Sequence, residues 1–164
     1  MARRRQKNGE CFLSSKRLTM AVRIRRVKMW RTSIRNRPGV LASTLEPLAQ
    51  AGANLSVVMK YSLSSRSRRA TVEILAGSAR RTTLAAHAAG FTLSPTPVLL
   101  VKGNNRPGLA YAVTTAIAWA GITVRFLSAQ VVDQRYSAIL GFRTEEDTIK
   151  ARSLIRKVAT TTKV

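Results

Sequence analysis

Apolar and polar residues follow one another along this chain in two blocks of the same order. From Val27 to Arg35, strand-compatible residues run up to an Asn36-Arg37-Pro38-Gly39 turn; Val40, Leu41, Leu45 and Leu48 then recur at helical spacing. Pro38 suits the first turn of that helix and Gly52 its end. Leu55, Val57, Met59 and Tyr61 next alternate with Ser56, Val58, Lys60 and Ser62, the pattern of a half-buried strand. A polar turn at 64–67 precedes a second alternating run through Ala70, Val72, Ile74 and Ala76. A helix over 78–89, closed by Gly90, and a strand opened by Phe91 complete a βαββαβ unit.

The second block repeats the first. Asn105-Arg106-Pro107-Gly108-Leu109-Ala110 echoes Asn36 to Ala42 at an offset of 69 residues, and the same offset carries Ala51-Gly52 onto Ala120-Gly121. A strand over Val98 to Lys102, a helix from Pro107 to Ala120 and an alternating run through Ile122, Val124 and Phe126 follow in the same order. Asp133-Gln134 makes a turn, Tyr136, Ala138, Leu140 and Phe142 the next strand, and Ala151, Leu154, Ile155 and Val158 the stripe of a last helix. The Thr-rich 159–164 is too short for a complete closing strand, so the two copies are expected to close differently. The predicted class is α+β: two tandem ferredoxin-like βαββαβ modules with antiparallel sheets and helices on one face. The predicted division is a basic, disordered tail over 1–25, a first module over 26–96 and a second over 97–164. Unpaired sheet edges predict that the sheets join side by side and that the chain forms a homodimer.

Charge adds a second theme. Against 7 Asp+Glu the chain has 29 Lys+Arg, a net +22, and residues 1–35 hold twelve of those cations with Glu10 as their only acid. Half of the net charge thus lies before Asn36, so weak polyanion binding is expected to begin in the tail. Cys11 is the single cysteine, which excludes an intrachain disulfide and a cysteine-based metal site. With no apolar run of the ~20 residues a bilayer requires and no apolar signal core, the expected setting is the cytoplasm, without membrane attachment. Met20 is an alternative start, with the first nineteen residues an upstream arm.

The turn Asn36-Arg37-Pro38-Gly39-Val40-Leu41, followed by Ala51-Gly52-Ala53-Asn54-Leu55, resembles the signature of the ACT domain family, present once in full and once in part. The resemblance covers roughly residues 26 to 160, and the whole is similar to stand-alone tandem ACT proteins without a catalytic domain. It implies a ligand held where the first strand-to-helix turn of one module faces a neighbouring module. Glycines at 39 and 108 allow close backbone approach, and the open N–H groups of a helix start suit a carboxylate. The first copy is similar to the serine-sensing ACT domain of phosphoglycerate dehydrogenase, which implies that Asn36 and Asn54 hold the ligand. Ile34 stands where that family has a histidine, while the second copy offers Asn105, Thr123 and Gly103 at the three matching positions. The candidate ligand residues are therefore Asn36, Arg37, Pro38, Gly39, Val40, Leu41, Asn54 and Leu55, with Asn105, Arg106, Gly108, Leu109 and Thr123 as the second set.

Each has a plainer role to set beside this one. Asn36 and Asn105 suit helix capping or turn formation, and Arg37 and Arg106 suit exposed turns. His87, the only histidine, has no second histidine, cysteine or acid pair arranged around it in the sequence, and Glu145, Glu146 and Asp147 cluster at a helix start where they favour its dipole. Trp30, Tyr136 and Phe142 lack the strand motif of RNA-binding sheets and read as core. The expected function is non-catalytic: allosteric regulation through a small molecule, an amino acid, without cofactor or metal. The alternative is a basic nucleic-acid or polyanion-binding adaptor that uses the sandwich as a dimerisation scaffold.

Overall fold

The computed structural model describes residues 22–62, 64 and 67–161. The expected tail disorder over 1–21, the alternative start at Met20, Cys11, part of the 64–67 turn and the last three residues lie outside this range. The elements are β1 (Arg23–Val27), β2 (Trp30–Arg35), α1 (Val40–Gln50), β3 (Leu55–Tyr61), β4 (Arg69–Ala76), α2 (Arg80–Ala88) and β5 (Thr92–Leu93). They continue with β6 (Val98–Asn104), α3 (Leu109–Trp119), β7 (Val124–Val132), β8 (Arg135–Phe142) and α4 (Glu145–Thr161).

Two antiparallel four-stranded sheets result, ordered β3-β4-β2-β5 and β1-β6-β8-β7, the α+β architecture expected. The duplication extends to backbone detail. Gly39 and Gly108, 69 residues apart, precede their helices in the left-handed region at φ 81° and 74°. The ladder shifts register between Leu55 and Val57, and again between Val124 and Phe126, one repeat later. Asp133 and Gln134, at φ 46° and 64°, form the two-residue turn between β7 and β8, and that geometry matches the twist of the strands it joins.

The copies do close differently. In the first sheet the closing position beside β2 is held by the two-residue β5. In the second it is held by β1, whose five residues pair antiparallel with β6 from Arg23–Lys102 to Val27–Val98. The strand expected from Val27 to Arg35 is thus broken at Lys28-Met29, and Arg23 to Arg25, expected in the tail, are ladder residues. The division at residues 25, 26 and 97 misses this exchange, in which a segment preceding the first module completes the second. Ile24 explains it: only 6% exposed, it inserts beside Leu99 and Val101 while Arg23 and Arg25 remain exposed on the opposite face of the strand.

Each sheet carries helices on one face. Leu48 of α1 and Ala86 of α2 meet Ile34, Val72 and Ile74; Leu109, Ile117, Ala151 and Ile155 of α3 and α4 meet Leu99, Leu140 and Phe142. The opposite faces cover one another, with Met29, Val98, Leu100 and Ile139 buried together against Val57, Met59, Leu75 and Phe126. The copies are therefore stacked sheet on sheet instead of joined side by side. The cause lies in the run Val98-Leu99-Leu100-Val101, buried throughout: a strand apolar on both sides must be covered on both. No helix among the described residues is long and apolar enough to cross a membrane.

Candidate functional site

Asn36 does not cap α1. Its Oδ1 accepts from Lys60 Nζ at 2.7 Å, its Nδ2 donates to the Ser67 carbonyl at 3.3 Å, and its backbone N–H donates to the Arg68 carbonyl at 2.8 Å. The side chain ties the turn to the β3-β4 hairpin, and Gly39 occupies the cap position with no side-chain bond to the helix. Arg37, Pro38 and Gly39 are exposed, whereas Val40 and Leu41 pack on the first core. Asn54 lies at the far end of β3 from Lys60, about 20 Å away at ~3.3 Å per residue. Asn36 and Asn54 of one module are therefore not brought together. Asn54 instead lines a cleft between the sheets with Arg25, Arg26, Lys28 and Lys102, while Leu55 packs on the first core.

The second copy is arranged differently. Arg106 is structural, its Nη2 donating at 2.7 Å to the Val158 carbonyl in α4. Gly108 takes the cap position of α3, again without a side-chain cap. Thr123 is exposed just before β7, at the opposite end of that strand from the Asn105 turn. Asn105 is held by its backbone N–H, which donates to the Gln134 carbonyl at 2.7 Å, and the residue lines an apolar cavity of about 180 Å³. Val101, Leu109, Val113, Leu140 and Ile155 form much of the wall.

Tyr136 lines this cavity and carries a buried polar group beside it. Its ring crosses Gly103, its ladder partner, where an added Cβ would meet ring atoms at 3.0 Å. Its hydroxyl is buried and has no hydrogen-bond partner among the described residues. Burial pushes the phenol above its usual pKa of 10.0, with Arg106 pulling the other way, so the group remains a neutral donor in ordinary buffers. An apolar wall, a buried hydroxyl beside it and an asparagine among the lining residues suit a small molecule with an apolar body and a polar head.

Sequence reasoning assigned Tyr136 to the core, which is right as far as burial goes, and missed its hydroxyl. The available signal was a tyrosine at an inward position of an alternating strand, where the ring is buried and the hydroxyl needs a partner. It also missed Glu73, the one acid in the otherwise uncharged stretch from Ala70 to Ala76 and 2% exposed. His87 packs edge-on to Trp30 at a centroid distance of 4.9 Å, the structural role set against a catalytic one.

No family model and no curated protein matches the sequence. Solved structures do. Protein BT0572 from Bacteroides thetaiotaomicron shares 17% identity over 79% of this chain and 88% of its own, with a TM-score of 0.65. The ligand-free regulatory subunit of aspartate kinase from Thermus thermophilus shares 16% over 85% and 96%, with a TM-score of 0.59. The aspartate kinase of Clostridium acetobutylicum, described as an allosteric enzyme, shares 15% over 85% of this chain and 34% of its own, with a TM-score of 0.55. At such identities the likeness shows the fold alone, and with the 69-residue repeat it makes this chain a tandem of two α+β modules, the architecture that the resemblance to ACT domains implies.

Proposed function

We propose that this chain is a non-catalytic regulatory protein that senses a small molecule, an amino acid, at the turn and cavity of its second copy. The observation that carries the reading is an apolar cavity lined by Asn105 and Tyr136, with the buried Tyr136 hydroxyl left without a partner among the described residues. An apolar amino acid fits: its side chain would replace empty space, and its head group would meet Asn105 and the exposed turn. This reverses the ranking of the copies, since Asn36 is already satisfied by Lys60 and Ser67. The likeness in fold to a regulatory subunit of aspartate kinase supports a regulatory role.

Binding alters a partner only if the ligand prefers one of two states. The groove between α3 and β7 is where such a difference would be felt, because β7 is an edge strand with Leu127, Val131 and Val132 exposed. Tyr111 and Trp119 of α3 are 76% and 88% exposed. This edge supports self-association as a homodimer, and a second molecule could bring its Asn54 toward the Asn36 turn that its own module keeps distant. The test is a thermal-shift series with leucine, valine, isoleucine, methionine and phenylalanine on the wild type, Asn105→Ala and Tyr136→Phe. Stabilisation that weakens in both variants supports the reading, and equal responses exclude this site. Polyanion binding is the second reading, favoured by Arg25, Arg26, Lys28 and Lys102 lining one cleft beside the basic tail. It predicts affinity for labelled nucleic acid that falls steeply with salt and on removal of residues 1–19.

A further inference from the structure

Glu73 sits on the face of β4 turned toward the other sheet, between Arg31 on β2 and Met59 on β3. It is 2% exposed, and its two oxygens are treated unequally. Oε1 accepts from Ser94 Oγ at 3.3 Å, while Oε2 is buried without a partner among the described residues. Arg31 Nε approaches Oε1 only to 4.0 Å, too far for a hydrogen bond. A carboxylate left half-satisfied in a buried position is costly, so a donor entering here gains more than it would at the surface.

Glu73 lines an inter-sheet cleft of about 720 Å³ together with Arg31, Met59, Tyr61, Arg125 and Phe126. Its fixed charges select the occupant. A bare cation meets Arg31 and Arg125, and a bare anion meets the buried Glu73. A zwitterion satisfies both signs, and two guanidiniums against one carboxylate favour a ligand with a second acidic group. Met59 and Phe126 offer apolar contact to its methylenes. The Tyr61 phenol registers the same surroundings: burial, then Glu73, push its pKa above 10.0, while Arg31 and Arg125 pull it down.

We infer that the inter-sheet cleft binds a small primary amine carrying two acidic groups, of the amino-dicarboxylate class, with its ammonium on Glu73 Oε2 and its carboxylates on Arg31 and Arg125. The cleft shares only Leu127 with the cavity below Asn105, and the inference does not depend on the function assigned to that cavity. Because both sheets contribute residues, occupancy would clamp the two copies together.

Calorimetric titration of the full chain with L-glutamate, L-aspartate, 2-oxoglutarate and inorganic phosphate tests this directly. One of the two amino acids should bind, while 2-oxoglutarate, which lacks the ammonium, and phosphate should bind at least tenfold more weakly. Glu73→Gln and Arg125→Gln should each weaken the amino acid at least tenfold, and Asn105→Ala should leave it unchanged. Arg125 is exposed, so its variant keeps the test open if Glu73→Gln fails to fold. The inference is overturned if neither amino acid binds at 10 mM, in which case water alone serves Glu73. It is equally overturned if 2-oxoglutarate or phosphate binds as well as the amino acid, or if Arg125→Gln binds like the wild type. Loss of binding in Asn105→Ala with both cleft variants intact would assign the ligand to the other cavity and also overturn it.

Discussion

Replacing Gly141 by Ala tests the stacking of the two sheets at a single atom. Gly141 lies in β8 opposite Phe126, and a Cβ built on it would fall 2.6 Å from Phe126 Cδ1 and Cζ and closer still to Cε1. Carbon atoms pack at about 3.5–4 Å, so the ring would have to shift by roughly an ångström or more. Phe126 belongs to the cluster of Met29, Val98, Leu100 and Ile139 that joins the sheets, so that shift disturbs the inter-sheet layer. Overpacking of this kind costs about 1–3 kcal/mol. The sign is informative, because a strand glycine with open space around it gains about 0.5–1 kcal/mol on becoming alanine. At about 2–4 °C per kcal/mol for a protein of this size, the melting temperature should fall by several degrees. Urea unfolding followed by circular dichroism measures the difference. In a Phe126→Leu background the same substitution should cost much less, a coupling that a double-mutant cycle isolates. Equal stability of Gly141→Ala and wild type, or an equal cost in both backgrounds, refutes the stacked arrangement at this contact.

Other expectations follow from single features. Tyr136→Phe removes a buried hydroxyl without a partner, so the unliganded protein should be unchanged or about 1 kcal/mol more stable in urea. Gly39→Val and Gly108→Val place a β-branched residue at φ 81° and 74°; each should lose about 1–3 kcal/mol by the same assay, although the space around both glycines is open. Removing residues 1–19 should leave unfolding unchanged, whereas deletion through Val27 removes β1 from the second sheet and buried Ile24 from its core, lowering the denaturation midpoint. The folded-state pKa of Tyr136 is raised, so above pH 10 the unfolded chain loses the proton first and holds fewer protons than the folded one. Stability should therefore decline as pH rises through and above 10, and less so in Tyr136→Phe, as measured by unfolding at successive pH values.

What could be read from the sequence was what local chemistry determines. The 69-residue offset reappears in matching left-handed glycines and matching register shifts, because turn geometry is set by the residues in the turn. The stacking of the sheets was not read, since the sheets were expected side by side: the doubly apolar run Val98 to Val101 signals it, but alternation elsewhere drew attention to single faces. The destination of β1 was not legible. Its alternation rests on Ile24 amid three arginines, and its partner β6 lies more than seventy residues away, a pairing that no local pattern specifies. Site residues divide in the same way. The Asn105 turn was identifiable from its motif, but the bonds that occupy Asn36 come from Lys60 and Ser67, 24 and 31 residues distant. The same holds for Arg106, whose partner carbonyl is 52 residues on.

The most direct test of a ligand-sensing second copy is a melting-temperature screen of the full chain against the twenty amino acids. At a hundredfold excess over its dissociation constant a ligand adds about 2.7 kcal/mol to the folded state, which raises the melting temperature by about 5–10 °C. The account predicts such a rise with at least one apolar amino acid, and a clearly smaller rise with both Asn105→Ala and Tyr136→Phe. No shift with any apolar amino acid at 10 mM, or full shifts in both variants, contradicts it.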